Sequence, residues 1–210
     1  MKYIAPLFLF LAFLASGARA ESVTARVVAD DYYSVYVGNA SGSSMTLVGG
    51  SGSALWMSQG APFGFSAGAG DYLYVAAWDS ASYGPPHMWI GEFNVGGTML
   101  YSNTSDWVAK YDASLKDPSA AQVSALAQSA GAWLAVAANM PNGSAPYGWL
   151  IGSSPASMVW HDSFGGDSAS ERGYALYRTA MPVVAVPEPS VYLMFLAGLG
   201  LLGFAARRRV

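Results

Sequence analysis

Two adjacent aspartates, Asp30 and Asp31, are the residues whose type and spacing best suit a metal ion in this chain of 210 residues. Calcium takes about six to eight oxygen ligands, many of them from carboxylates, and Asp79, Asp162 and Asp167 could supply more. No EF-hand spacing accompanies the pair, and aspartates at the entrance of a strand commonly form turns through hydrogen bonds from side chain to backbone. We therefore predict a turn at the pair and no cofactor, with Ca²⁺ binding by Asp30 and Asp31 as the alternative.

Catalytic residues of the common hydrolases are not evident in the sequence. The chain has no cysteine, which excludes thiol catalysis and thiolate metal sites. Its two histidines, His87 and His161, belong to no H-E-x-x-H motif, and no G-x-S-x-G motif is present. Paired carboxylates that cleave a glycosidic bond need only a suitable separation in space, so a glycan-active hydrolase stays an alternative. We predict that the protein is not an enzyme.

The seven tryptophans suggest a binding chemistry instead. An exposed indole ring can stack on the apolar face of a sugar, although in a β-protein most tryptophans fill the core. We expect roughly four or five of them in the core and one or two exposed. Trp56 and Trp149 are the candidate ligand-binding residues, because both lie among Gly, Pro and Ser residues that are typical of loops.

Short strands are expected to position these residues. Along residues 32–37, Tyr33, Val35 and Val37 fall on one face of an extended chain, and the intervening residues fall on the other. Similar runs, separated by Gly, Ser, Asn and Pro, predict further strands. The predicted strands cover residues 22–29, 32–37, 71–78, 87–95, 107–112 and 173–183. The pattern is typical of an antiparallel β-sandwich, and we predict a mainly β fold.

One short helix is predicted after the strand at 107–112. Asp117 is a suitable N-cap, Pro118 suits the first helical position, and the helical pattern continues to Gly131. The Gly/Ser-rich residues 38–54 predict a hairpin with long loops rather than a domain linker.

Residues 21–186, which we call the central domain, are predicted to form one acidic domain. The central domain has five basic and twelve acidic residues and therefore a net charge of −7, whereas the whole chain has −3. A domain with so few basic residues is poorly suited to nucleic acid.

Residues 1–20 have the pattern of a cleavable signal peptide. Lys2 precedes an apolar run at 3–14, and Ala18 and Ala20 form a small-x-small cleavage site. As a helix this run would cover about 18 Å, well short of the hydrocarbon core of a membrane at about 30 Å. Export across the inner membrane with removal of this segment is therefore expected.

Residues 187–210 combine three features in order. Pro187, Glu188 and Pro189 form a stiff extended strip, because each proline restricts its own backbone and that of the residue before it. Residues 191–206 carry no charge and would span about 24 Å as a helix, close to the thickness of a bilayer core. The chain then ends in a cluster that favours the cytoplasmic side of a membrane, formed by Arg207, Arg208 and Arg209.

This combination resembles the PEP-CTERM sorting signal of Gram-negative bacteria. The resemblance implies that exosortase, a membrane-embedded enzyme, recognises Pro187, Glu188 and Pro189 and cuts near them, while the arginine cluster acts as the membrane stop. It also implies a transient stay in the inner membrane through residues 191–206. The protein would then reach the cell surface or the exopolysaccharide matrix of a biofilm.

Three segments of the central domain resemble galactose-binding-domain-like jelly rolls. Residues 29–42 resemble an acidic pair followed by an aromatic strand and a turn, residues 71–93 a central hairpin, and residues 175–183 a closing strand. The turn reads Gly38-Asn39 where that family usually has Asn-Gly. The resemblance implies a jelly-roll β-sandwich without catalytic activity.

Together these features predict an exported surface or matrix protein that is sorted by exosortase and binds polysaccharide. A self-associating structural protein of the matrix is one alternative, and a glycan-active hydrolase is the other.

Overall fold

The computed structural model describes residues 20–79, 87–162, 173–183 and 198–200. Ala20–Val184 is one compact unit, and the two ends of the chain, Met1–Arg19 and Ala185–Val210, belong to a second unit. Within the described ranges, no helix is long and apolar enough to cross a membrane. Several predicted features lie outside these ranges: most of the signal peptide with Ala18, the strip Pro187, Glu188 and Pro189, most of the apolar run, and Arg207, Arg208 and Arg209.

Two antiparallel sheets form the central domain. The first sheet contains β1 (Glu21–Asp30), β4 (Phe63–Ala67), β6 (Met88–Val95), β7 (Thr98–Tyr101), β10 (Ala138–Pro141) and β11 (Ser157–Trp160). The second contains β2 (Tyr32–Gly38), β3 (Met45–Gly50), β5 (Tyr72–Trp78), β8 (Trp107–Asp112), β9 (Leu134–Ala135) and β12 (Tyr174–Thr179). The order is β10-β11-β6-β1-β4 with β7 beside β6 in the first sheet, and β3-β2-β5-β12-β8-β9 in the second. The prediction of a mainly β fold is confirmed.

The six strands predicted from the sequence correspond to β1, β2, β5, β6, β8 and β12. The hairpin predicted at residues 38–54 is the pair β2–β3. The segment at 71–93, however, is not a hairpin, because β5 belongs to the second sheet and β6 to the first. The chain crosses between the sheets at this point, as it does between β1 and β2.

The two sheets pack face to face around one hydrophobic core. Alternate residues of β1 and β2 point into it, among them Val27 and Val35. The centre is aromatic: the ring of Trp89 on β6 lies 4.9 Å from that of Trp107 on β8 and 5.2 Å from that of Tyr177 on β12, measured between centroids. These contacts join the first sheet to the second, so the central domain is a sandwich of two sheets. The finer assignment to a jelly roll stays a prediction.

A helix, α1 (Ala120–Gln128), covers the outer face of the second sheet. Its N-cap is Ser119, not Asp117 as predicted, because the Ser119 hydroxyl accepts from the Gln122 N–H while the Gln122 side chain accepts from the Ser119 N–H. Two hydrogen bonds made this way satisfy backbone donors that an aspartate further upstream does not reach. The helix also ends at Gln128, before the predicted end at Gly131.

A buried lysine caps the C-terminal end of α1. The Lys110 ammonium on β8 donates to the carbonyl oxygens of Ser129 at 2.7 Å, Ala127 at 3.1 Å and Leu126 at 3.3 Å. The last carbonyls of a helix lack partners within the helix and attract a cation. Lys110 therefore ties the helix to the sheet that it covers.

The outer face of the first sheet is covered by irregular chain. The 3₁₀ turn at Trp56–Ser58 and the residues that follow β10 supply this layer. Tyr147 and Ile151 are buried there against Val28 and Met88 of the sheet. We call residues 141–156 the outer loop.

Strand register places the predicted metal-binding pair at one end of the sandwich. Asp30 pairs with Met88 and Tyr32 pairs with Trp78, so the crossover from β1 to β2, the end of β5 and the start of β6 lie together. We call this the acidic end, and it includes Asp30, Asp31, Asp79 and His87.

The chain leaves the sandwich at the opposite end. There Glu21 pairs with Ala67, and Thr179 of β12 pairs with Trp107. The N–H of Val183 donates to the carbonyl oxygen of Asp71 at 2.8 Å, which holds the last described residue of this region against the start of β5. We call this the tail end, because the predicted sorting signal follows Val183 in the sequence.

Candidate functional site

The acidic pair lies where the chain passes from one sheet to the other, with Asp31 alone between β1 and β2. The N–H of Asp31 donates to the carbonyl oxygen of Trp78 at 3.2 Å. The Gln59 side chain accepts from the Ala29 N–H at 2.8 Å and donates to the carbonyl oxygen of Asp31. The predicted turn at the pair is thus a crossover between sheets, and its backbone is held by residues distant in sequence.

The carboxyl group of Asp30 is paired with a tyrosine. The Tyr147 hydroxyl donates to Asp30 Oδ2 at 2.6 Å. Burial raises the pKa of Asp30 to about 7, and the neighbouring Asp31 and Asp79 act in the same direction, while the hydrogen bond from Tyr147 partly opposes them. Burial likewise raises the pKa of Tyr147, so its hydroxyl remains a donor at all ordinary pH values.

An aspartate and a histidine lie beside this pair inside the protein. Only 4 % of the surface of Asp79 and 8 % of that of Asp31 are exposed. His87 Nδ1 lies 3.6 Å from Asp79 Oδ2, and its ring contacts that of Trp160 at 5.5 Å. The acidic end is therefore a buried group of ionisable side chains, which is the kind of environment that shifts pKa values.

The second histidine is held by an aromatic ring. His161 stacks on Tyr111 with 4.2 Å between ring centroids, and its Nε2 lies 3.7 Å from Asp162 Oδ1. Burial lowers the pKa of His161, although the nearby Asp162 opposes the shift. The imidazole is therefore mainly neutral at pH 7 and packs as an aromatic side chain.

Four of the five candidate calcium ligands, Asp30, Asp31, Asp79 and Asp162, lie among the residues that the structure describes. Within those residues, no group of three or more His, Cys, Asp or Glu side chains could hold a metal ion. Asp167, which could supply a further ligand, lies outside them. Calcium binding by Asp30 and Asp31 stays an untested alternative to the turn.

A cavity of about 350 Å³ opens beside the acidic end. The rings of Tyr32 and Trp78 stack there at 5.8 Å and form one wall. Asp79, Lys116 and Asp117 also line it. The space is large enough for a small polar molecule, and two acidic residues are among those that line it.

Replacing Asp30 by asparagine should stabilise the protein at high pH. A carboxyl group whose pKa rises from 3.8 to about 7 on folding contributes stability that is complete below about pH 4 and is lost as the pH passes 7. An amide keeps an oxygen that accepts from Tyr147 and has no charge to bury. We expect Asp30→Asn to raise the free energy of unfolding by roughly 1 to 2 kcal/mol near pH 8.5 and to have little effect near pH 4.5, because partial exposure screens the charge.

Urea unfolding of the two proteins at both pH values measures this difference. An equal loss of stability at both pH values would contradict the assignment of Asp30 as a buried acid. Repeating the urea unfolding with added Ca²⁺ tests the metal alternative, because Ca²⁺ bound by Asp30 would stabilise the parent protein and not the asparagine variant.

The tryptophans divide between the core and the surface as expected from the sequence. Four of them are buried, namely Trp78, Trp89, Trp107 and Trp160. Trp56 and Trp133 are half-buried, and Trp149 has 68 % of its surface exposed. Of the two candidate ligand-binding residues, only Trp149 is therefore fully presented to solvent.

The outer loop holds Trp149 in a defined position. The Asn142 side chain is buried, donates to the carbonyl oxygen of Gly152 at 2.9 Å and accepts from the Leu150 N–H at 3.1 Å, which closes the loop. Gly143 has a φ of +97°, and a Cβ placed there would come within 2.8 Å of the Trp149 ring. The indole thus lies directly against the backbone of a glycine, and its orientation depends on the missing side chain.

Trp56 lies in the same outer layer. Its ring meets that of Tyr147 edge to face, with 5.5 Å between centroids. Tyr147 belongs to the outer loop, two positions before Trp149. The flanking residues Leu55 and Met57 are exposed, so an apolar and aromatic surface continues from the 3₁₀ turn. Both predicted tryptophans therefore belong to segments of the layer that covers the first sheet.

Sequence reasoning missed the residues that build this layer. Tyr147, Asn142 and Gly143 were not predicted to have a role. A signal was present, since the segment at 141–148 is dense in Pro, Asn, Gly and Ser, which marks a structured turn. The partner of Tyr147, however, lies 117 positions away in the sequence.

Comparison with known proteins gives one result. Residues 185–209 match the family model of the PEP-CTERM protein-sorting motif. No curated protein and no solved structure matches the chain. The match covers the predicted strip, the apolar run and the arginine cluster, and it confirms the prediction of a sorting signal. The chain therefore carries the sorting motif of PEP-CTERM proteins, which are exported, recognised by exosortase and sorted through the membrane to the cell surface.

Proposed function

We propose that the central domain is a non-enzymatic component of the bacterial surface or exopolysaccharide matrix, and that it binds polysaccharide. The observation that carries this proposal is the indole of Trp149, which is exposed and packs against the backbone of Gly143. An exposed apolar patch on a protein surface commonly marks an interaction site. An indole ring rotates about only two side-chain bonds, so it loses little entropy when a sugar stacks on it.

The surroundings of Trp149 favour a neutral polysaccharide. The central domain has a net charge of −7, which repels polymers of uronic or sulfated sugars. Trp56, Leu55 and Met57 add apolar surface in the same outer layer. The C–H faces of neutral sugars can lie on such a surface, and their hydroxyl groups remain in water.

The burial of the acidic end supports a role without catalysis. A glycoside hydrolase needs two carboxyl groups about 5 to 10 Å apart that reach the substrate in an open cleft. Asp31 and Asp79 are instead almost fully buried, and Asp30 is engaged by Tyr147. In the described part of the chain, the cavity that Asp79 and Asp117 line favours the hydrolase alternative.

The finer features of the proposal rest on the sequence. We infer that residues 1–20 are removed as a signal peptide, that the host is a Gram-negative bacterium, and that the matrix of a biofilm is the destination. Two of the three segments that resemble a galactose-binding jelly roll, residues 29–42 and 175–183, overlap β2 and β12, which supports a β-sandwich of that general kind.

Substituting Trp149 by alanine should weaken polysaccharide binding by at least about tenfold, since loss of a central aromatic contact typically costs more than 1 kcal/mol. Gly143→Ala should weaken it severalfold although the indole is still present, because the new methyl group displaces the ring. The matched control is Gly97→Ala. Gly97 has a nearly identical φ of +95° and nothing within 4 Å of its Cβ position, so this variant has the same backbone strain and should bind normally.

Co-sedimentation of each variant with insoluble neutral polysaccharides measures binding. Equal binding by Trp149→Ala and the parent would refute the proposed face. Absence of any glycan binding, together with concentration-dependent oligomers, would favour the self-associating matrix protein. Release of reducing ends from the polysaccharide would favour the hydrolase.

A further inference from the structure

The tail end of the sandwich has an apolar groove of about 260 Å³. Val95, Met99 and Leu100 line it from the first sheet, and Met181 and Val183 line it from the segment that follows β12. Met181 has 73 % of its surface exposed and Met99 has 41 %. Ser105 and Asp106 add polar groups to the lining. A mainly apolar surface that also carries a few polar groups is typical of a protein–protein contact surface.

The covalent chain brings the partner of the sorting motif to this surface. Three residues separate Val183 from Pro187, so four Cα–Cα steps allow a reach of about 14 Å at most. A standard contact patch of about 800 Å² per partner is roughly 30 Å across. An enzyme that closes around Pro187, Glu188 and Pro189 therefore has the tail end of the folded domain within its footprint.

We propose that the tail end, through the groove beside Met99 and Met181, is a docking surface for exosortase during processing. Exosortase recognises the sorting motif, and the groove provides a second contact with the same enzyme. This second contact raises the effective concentration of the motif at the enzyme. Long flexible methionine side chains suit such a transient contact, because they adapt to different partner surfaces. The proposal rests on recognition of the motif by exosortase, and it adds the folded domain to what the enzyme recognises.

The test compares Met181→Asp with Leu47→Asp in the full-length chain. Leu47 is also a mostly exposed apolar residue, with 56 % of its surface exposed. It pairs with Tyr36 on the edge strand β3 and does not line the groove. The rate of conversion from full-length to processed protein is followed by pulse–chase immunoblotting of membranes and medium. We expect Met181→Asp to slow processing at least about fivefold and Leu47→Asp to leave it unchanged.

A second arm separates docking from defects in folding or export. About ten Gly and Ser residues inserted after Val183 extend the reach of the chain by roughly 35 Å, so the domain no longer needs to touch the enzyme. With this insertion, Met181→Asp and its parent should be processed at the same rate. Normal processing of Met181→Asp without the insertion, or equal slowing with and without it, would overturn the proposal. Failure of the sorting claim itself would appear separately, as processing of a chain that lacks Pro187, Glu188 and Pro189.

Discussion

Deleting Pro187, Glu188 and Pro189 is expected to leave the protein uncleaved in the inner membrane and to abolish its release to the cell surface. The three residues lie within the matched sorting motif. Their stiffness lowers the entropy lost on binding to the enzyme, and Glu188 is the only charged residue between Arg178 and the apolar run. The apolar run and the arginine cluster remain in the variant, so the chain should still be held in the bilayer.

Cell fractionation followed by immunoblotting measures the outcome. A deletion also shortens the distance to the apolar run, so a second variant replaces the strip by Ala-Gln-Ala at constant length. Both variants should accumulate in the membrane fraction. Release of the deletion variant at the parent rate would refute the role of the strip, and release of the same-length variant alone would mean that spacing matters rather than residue type.

Replacing Trp89 by alanine should destabilise the central domain by roughly 3 to 5 kcal/mol, the usual cost of removing a large buried aromatic side chain. Trp89 is fully buried and contacts Trp107 and Tyr177 of the opposite sheet. Its loss would leave a cavity at the centre of the sandwich, where both sheets are fixed by other strands and cannot close the gap. A loss of this size approaches the total stability of an average domain, about 5 to 15 kcal/mol.

The matched control for this prediction is Trp149→Ala, which removes the same side chain from the surface. Its free energy of unfolding should stay within about 0.5 kcal/mol of the parent value. Urea unfolding followed by circular dichroism provides both measurements. Similar losses for the two variants would contradict the division of the tryptophans between core and surface.

The six strands could be predicted from the sequence because each one buries alternate residues in a common core. Tyr33, Val35 and Val37 all point into that core, as their period-two spacing indicates. The strands that were missed are short or interrupted: β4 contains Gly64 and Ser66, and β11 has only four residues. In such segments the pairing comes from neighbouring strands rather than from a local pattern.

The N-cap predicted for α1 was wrong, although the sequence contains the pattern that indicates the correct N-cap. Asp117 and Pro118 suggested an N-terminus, yet Ser119 with Gln122 forms the capping box. Asp117 has a φ of +52°, which belongs to a turn and not to a helix N-cap. A serine followed three residues later by glutamine was available as the stronger signal.

By itself, the sequence determined the sorting signal, the charge of the central domain and its class of fold. The sorting motif is a contiguous segment, and the alternation of apolar residues along a strand is a local pattern. Both can therefore be identified without knowing which distant residues they contact. Only the tertiary structure decided that Tyr147 meets Asp30, that Trp149 lies exposed on Gly143, and that the tail leaves from an apolar groove. These contacts depend on how the two sheets and the loops that cover them pack. Packing of this kind brings together residues that are far apart in the sequence, and no local sequence pattern indicates that they meet.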